Sequence, residues 1–232
     1  MGNGTMGTVR ENLLKVKDRI AQAAGRVGKN PEDVKLVLVT KTIGLEQIRE
    51  AIAAGVTTFG ENYVQEARTK IEALGSTNTE WHFIGHLQTN KAKYAVRLFN
   101  LIHSVDSIKL ARELDRRSAL EGRVVDCLIE VNLAGESSKF GADKNEVVDL
   151  AAEMTSLQHL SLRGLMTMPP YSEDPESSRP YFIALRTLKD QLERHQISLP
   201  ELSMGMSADF EVAIDEGATM VRVGRAIFGE RG

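Results

Sequence analysis

Short runs rich in valine, leucine and isoleucine alternate with amphipathic helical patterns along most of this chain, and that alternation limits the possible folds more than any single residue does. The runs 34–41, 57–61, 81–85, 101–105, 125–131, 162–168, 202–206 and 220–224 predict strands. Their interiors are close to continuously apolar, as expected of parallel strands covered on both faces. Between them lie helical spacings of threes and fours. Leu45, Ile48 and Ile52 mark one helix that Gly55 stops, and 63–74 is a second. Thr89 is expected to cap a third that runs to Phe99, and Ser107 to start a fourth with Leu110, Leu114 and Leu120 on its apolar side. Asp143 and Glu146 read as a capping box for a helix through Met154. Tyr181, Leu185, Leu188 and Leu192 form a further stripe, and Asp209 is expected to cap a short helix that ends at Gly217. An opening helix carries Val9, Leu13, Val16, Ile20 and Val27, with a Thr8–Glu11 capping box at its start.

About eight βα units in 232 residues fit one (β/α)8 TIM barrel with an additional N-terminal helix. A doubly wound open sheet uses the same local units and stays open as the alternative. No linker or shift of composition divides the chain, so 1–232 reads as a single domain in which 1–7 is flexible.

Charge excludes some partners. The formal net charge is -3 and the lysines and arginines are scattered, which gives no sign of nucleic acid or a membrane surface as a partner. The single cysteine, Cys127, lies in an apolar run and reads as a buried, inert thiol. No apolar signal segment and no run of membrane-spanning length is present, which fits a reducing cytoplasm.

In a barrel the C-terminal strand ends share one face, and chemistry gathers there. Lys41, Glu61, Asn62, Gly85, His86, Asp106, Asn132, Met168, Met206, Ser207, Gly224 and Arg225 all fall at such ends. Lys41 closes the first strand. A desolvated lysine there would be enriched in the free amine that attacks carbonyls, whereas a solvent-facing one would be inert; both readings stand on position alone. Ser207, Gly224 and Arg225 lie after the seventh and eighth strands, where barrels usually bind phosphate through backbone N–H groups, with Ser207 as a further hydroxyl donor. Arg222 alternates with Val221 and Val223, so it points into the barrel mouth if the valines face the helices. A buried arginine needs an acceptor, either a carboxylate such as Glu61 or a ligand's ring nitrogen or phosphate. His82 and His86 have the i, i+4 spacing of metal ligands on a helix, but they lie on strand and turn, where the rings do not converge. His103 and His159 read as packing or surface residues. Met166, Met168, Met204 and Met206 read as core fillers, two of them placed at strand ends to pack on a flat ring. The Pro-rich stretch 169–175 is the longest loop and a candidate cover for the site.

Six motifs carry a resemblance: Val39-Thr40-Lys41-Thr42, Phe59-Gly60-Glu61-Asn62-Tyr63-Val64-Gln65-Glu66, Trp81-His82-Phe83-Ile84-Gly85-His86-Leu87-Gln88-Thr89-Asn90-Lys91, Arg163-Gly164-Leu165-Met166, Leu202-Ser203-Met204-Gly205-Met206-Ser207 and Val221-Arg222-Val223-Gly224. Together they resemble the pyridoxal phosphate homeostasis proteins (the YggS/PROSC family) over nearly the whole chain. The resemblance implies the barrel of the fold-type III pyridoxal phosphate proteins, related to the alanine racemase N-terminal domain. It implies pyridoxal 5'-phosphate held as an aldimine on Lys41, with Ser207, Gly224 and Arg225 at the phosphate, although some relatives have threonine in place of Arg225. Arg222 then lies near the pyridine nitrogen, and Asn62 and Met206 line the cofactor. Such proteins buffer and deliver the cofactor rather than turn over substrate efficiently, with apo-enzymes as recipients. A monomer is expected. The alternative is a small pyridoxal phosphate enzyme such as an amino-acid racemase. Lys70 and Lys189 are expected to be ordinary surface lysines.

Overall fold

The computed structural model describes residues 7–135 and 140–229. The expected flexible start therefore lies almost wholly outside the described residues. Strands β1 (Lys35–Val39), β2 (Thr58–Glu61), β3 (Glu80–Phe83), β4 (Leu101–Val105) and β5 (Val125–Asn132) follow one another, with β6 (Ala142–Asp143) a two-residue spur on β5. Strands β7 (Leu160–Met166), β8 (Glu201–Met206) and β9 (Met220–Val223) complete the set. Every pairing is parallel. The order β4-β3-β2-β1-β9-β8-β7-β5 closes on itself through a β4–β5 pairing, so eight strands form a barrel and the open sheet is ruled out.

Strand parity sorts the side chains into two layers. Leu38, Phe59, Phe83, Val221 and Val223 point outward and pack under the helices. Val37, Leu101, Leu128, Met166 and Met220 form a small apolar cluster inside the barrel. Arg222 is two residues on from Met220 and in register with Val37, so it points inward, as its alternation predicts.

The helices α2 (Leu45–Ala53), α3 (Val64–Leu74), α4 (Ala92–Leu98), α5 (Ile108–Leu120), α6 (Val147–Met154), α7 (Arg179–Arg194) and α8 (Phe210–Asp215) follow their strands, but α9 (Arg225–Phe228) after β9 is too short to cover one. The opening helix α1 (Val9–Arg26) takes that place, packing against α2, α8 and α9 over the seam where the first and last strands meet. Its expected capping box is present: Glu11 N donates to Thr8 Oγ1 (3.2 Å) and Thr8 N donates to Glu11 Oε2 (2.9 Å). Arg19 binds Glu211 of α8 through two hydrogen bonds (3.0 and 2.8 Å), and Asn12 Nδ2 donates to Ile227 O of α9 (3.0 Å).

Several local expectations are corrected. Thr89 begins a one-turn 3-10 segment and caps nothing with its side chain. The Asp143–Glu146 box does not form, because Asp143 is recruited to pair with β5 and its carboxylate accepts from Asn145 N (2.8 Å). Asp209 stands before α8, yet its carboxylate turns to Met206 N (2.7 Å) and Ser178 Oγ (2.8 Å). Leu120 is exposed, and Phe182 rather than Tyr181 fills the core under α7. The expected partnering of Ser107 holds: its Oγ accepts from Leu110 N.

Candidate functional site

Two glycines shape the barrel mouth. Gly205 has φ +91°, and a Cβ there would sit 2.6 Å from that of Ala213, so only glycine lets α8 close on β8. That approach delivers Met206 and Ser207 to the rim. A Cβ on Gly85 would overlap the backbone of Asn62, so its absence lets the turn after β3 settle against the turn after β2.

At this rim lies a cavity of about 300 Å³ lined by Val39, Lys41, Asn62, Ile84, Met168, Met206, Ser207, Arg222, Gly224 and Arg225. All seven residues singled out in the sequence for a cofactor line it. A larger groove of about 530 Å³ lies at the opposite ends of β1 and β2, beside α1, and holds none of them.

Lys41 lies in a turn two residues past the end of β1 rather than in the strand itself. Its neighbours are clamped from outside the barrel. Thr40 N donates to Gly60 O (3.0 Å), Thr40 Oγ1 to Glu61 Oε1 (2.6 Å), and Thr42 N to Glu66 Oε1 (2.6 Å). Lys70 Nζ joins these groups, donating to Thr40 O (2.5 Å), Glu61 Oε1 (2.7 Å) and Glu66 Oε1 (2.7 Å). Thr42 is held at φ 64°, an uncommon conformation for a residue with a Cβ. Lys70 is therefore a buried structural cation, not the surface lysine expected. Glu61 faces α3 rather than the interior, and burial raises its pKa against the opposing pull of Lys70 and Thr40.

Arg222 forms the opposite wall and is buried. Its acceptors are Ser203 Oγ (2.6 Å from Nη1) and the Thr167 carbonyl (2.9 Å from Nη2), not Glu61. Burial lowers its pKa to about 10, while Glu130 and Asp209 act in the opposite sense. Ser207 Oγ accepts from Gly224 N and Ala226 N (3.3 Å each), which ties the turns after β8 and β9 together. Arg225 is exposed and carries its guanidinium 5.7 Å from the Tyr171 ring, so the 169–175 loop does lean toward this rim.

Sequence reasoning missed Glu130, Ser203 and Lys70. Glu130 is buried and lines two cavities adjoining the first, of about 460 and 340 Å³; burial raises its pKa to about 7. Its inward parity on β5 was the available signal. The metal alternative fails on geometry: His82 points into the barrel, whereas the His86 ring stacks on Phe140 at 3.6 Å. Among the described residues no group of three or more His, Cys, Asp or Glu side chains is placed to hold a metal. Cys127 is fully buried with its thiol pKa raised by burial, as expected of an inert thiol.

The alanine racemase N-terminal domain family model matches residues 12–232. A pyridoxal phosphate homeostasis protein of Aquifex aeolicus is 48% identical over 222 residues, which cover 95% of this chain and 97% of that protein. The chain belongs to the pyridoxal phosphate homeostasis protein family. Among solved structures of such proteins, PipY of Synechococcus elongatus with PLP bound matches at a TM-score of 0.86 and 37% identity, over 96% of this chain and 100% of that one. The family's barrel extends to distant relatives: an alanine racemase of Clostridium difficile matches at a TM-score of 0.74 but 15% identity, over 97% of this chain and 57% of the racemase, a likeness of fold alone.

Proposed function

We propose that this chain binds pyridoxal 5'-phosphate in the 300 Å³ cavity and takes part in holding and supplying that cofactor in the cytoplasm, without efficient turnover. The observation that carries the reading is the convergence, on one small cavity, of a primary amine, a buried guanidinium, and a hydroxyl-tied pair of N–H groups. The donor set fits the group: an amine for an aldehyde, a donor for a ring nitrogen, and a loop pair with a cation for a phosphate. Pyridoxal phosphate supplies an aldehyde that condenses reversibly with amines and a ring that withdraws electrons from what is attached to it.

In this reading Lys41 is the amine that holds the aldehyde, and the clamp on Thr40 and Thr42 fixes where its stem begins. Ser207, Gly224 and Arg225 take the phosphate. Asn62 and Met206 border the ring, and Asn62 Oδ1 is buried with no hydrogen-bond partner. Arg222 donates to the ring nitrogen. A cation there disfavours protonation of the ring and so weakens its electron withdrawal, which favours storage over turnover. Residues 1–232 act as one cofactor-binding domain, as a monomer, with apo-enzymes as recipients. No helix among the described residues is long and apolar enough to cross a membrane.

Borohydride reduction of the protein with pyridoxal phosphate, followed by peptide mapping, tests the site. A single phosphopyridoxyl group on Lys41 is expected; adducts scattered over exposed lysines would overturn it. One observation favours a small racemase-like enzyme instead: Glu130, whose pKa burial raises to about 7, lines the two cavities that adjoin this one and is a group able to move a proton. Incubation with L-alanine or L-serine in deuterated buffer separates the readings. Deuterium at Cα appearing faster than with free cofactor would establish turnover.

A further inference from the structure

Below the cofactor cavity, buried polar side chains meet along the inside of the barrel. Arg222 Nη1 lies 2.6 Å from Ser203 Oγ, and Ser203 Oγ lies 2.9 Å from His103 Nδ1. His103 Nε2 lies 3.0 Å from His82 Nδ1, and His82 Nε2 faces Glu80 Oε2 at 3.8 Å. The residues come from β9, β8, β4 and β3, so the chain crosses the barrel and descends toward its far end, where Glu80 pairs with Lys35. His82, His103, Ser203 and Arg222 are all buried, beside the apolar cluster of Val37, Leu101, Leu128, Met166 and Met220.

A guanidinium has only donors, and the partners of each further group then set the direction of the hydrogens. Arg222 donates to Ser203 Oγ. Ser203 Oγ keeps a second lone pair, but among the described residues its partners are Arg222 and His103, so its one hydrogen goes to His103, whose Nδ1 accepts. The ring hydrogen of His103 is left on Nε2 and is donated to His82 Nδ1. The hydrogen of His82 is in turn left on Nε2, facing Glu80. A proton added to His82 would set its Nδ1–H against the Nε2–H of His103, and one added to His103 would leave the Ser203 hydrogen without its acceptor.

We infer that His82, His103 and Ser203 form a one-way hydrogen-bond chain, both imidazoles neutral and protonated at Nε2, that positions Arg222 toward the ring nitrogen of the cofactor. This rests on the assignment of Arg222 above. Burial lowers the pKa of both histidines, that of His103 strongly, and the charges of Arg222 and Lys35 act on His103 in the same direction. The charged groups that bear on the pair are Arg222 from the cavity side and Lys35, Glu80 and Glu201 from the far end. Glu130 acts on Arg222 from β5. These three residues are positioning residues, since none of them lines the cavity.

Two measurements decide the matter. In the cofactor-free protein, 15N-detected histidine spectra should show His82 and His103 with Nε2 protonated, Nδ1 bare and no titration near neutral pH. A hydrogen on Nδ1 of either ring, or an imidazolium, would overturn the chain whatever the protein binds. The second measurement compares pyridoxal phosphate with its 1-deaza analogue, which lacks the ring nitrogen. Ser203→Ala should weaken pyridoxal phosphate about tenfold or more, the range for a hydrogen bond involving a charged group, and leave the deaza analogue nearly unchanged. Equal losses for both ligands would reduce Ser203 to a packing residue. A wild-type protein that holds no pyridoxal phosphate would instead defeat the cofactor reading, and the spectra would still judge the chain. Where Ser203→Ala folds poorly, Ser203→Thr, which keeps the hydroxyl, should restore the preference for the ring nitrogen; failure to do so with a folded protein counts against the inference.

Discussion

The two walls of the cavity are held by opposite means. Behind Lys41, outside the barrel, Lys70 binds Glu61, Glu66 and the Thr40 carbonyl in a compact knot of charges. Behind Arg222, inside the barrel, the support is neutral: a serine, two imidazoles and a backbone carbonyl. The difference follows from what each wall must present. In the proposed reading the Lys41 wall needs a fixed backbone, from which the side chain reaches the aldehyde. In the same reading the Arg222 wall needs a fixed side chain that stays charged in a buried place, and a second positive charge beside it, such as an imidazolium, would disfavour that charge.

The comparison can be broken at several points. Lys41→Ala should have the largest effect, abolishing any borohydride-stable adduct while the loops after β8 and β9 keep weak phosphate binding, seen by competition with inorganic phosphate. Lys70→Met removes one partner from a buried cluster and leaves carboxylates behind, so urea denaturation should show a loss of roughly 3–5 kcal/mol. A nearly neutral result would mean that the knot contributes little to holding Thr40 and Thr42.

Glu130→Gln sharpens the contrast through pH. Glu130 keeps its proton in the folded protein up to about pH 7, against an ordinary value of 4.5. Below 4.5 the carboxyl is protonated in both folded and unfolded states, and the variant should match the wild type. Between 4.5 and 7 only the unfolded state loses the proton, so wild-type stability falls as pH rises. Above 7 the difference levels off at roughly 3 kcal/mol in favour of the glutamine variant. Equal stability at pH 8 would show that the carboxylate is better solvated than its burial implies. The smallest effect belongs to Glu66→Gln. It weakens the hold on Thr42 N and on Lys70 from a half-buried position, and about 1 kcal/mol is expected from thermal or urea unfolding.

The barrel was legible because its strands alternate in a way that needs no knowledge of neighbours. Val221 and Val223 against Met220 and Arg222 announce two faces, and the structure keeps them. Much of the cavity was legible for the same reason, since strand ends in a closed barrel must meet. What stayed hidden depends on partners far apart in sequence. Glu66 and Lys70 look like an ordinary surface pair on a helix, and only the docking of α3 against β2 brings them to Glu61. His103 and Ser203 are 100 residues apart and carry no local sign that they touch. Asp143 and Glu146 had the spacing of a capping box, but pairing with β5 competes for Asp143 and wins.

The seam has a consequence for how the chain reaches this state. Strand β1 pairs with β9, and α1 is tied to α8 and α9 by hydrogen bonds that span 192 and 215 residues. Contacts of that range are slow to form, because nearly the whole chain must be ordered before they are gained. During synthesis, one edge of β1 and the face of α1 that meets α8 and α9 wait for their partners until β9 has been made. The β1–β9 pairing is therefore expected to form late, and until it does the apolar stripe of α1, with Leu13, Val16 and Ile20, lacks its cover from α8 and α9.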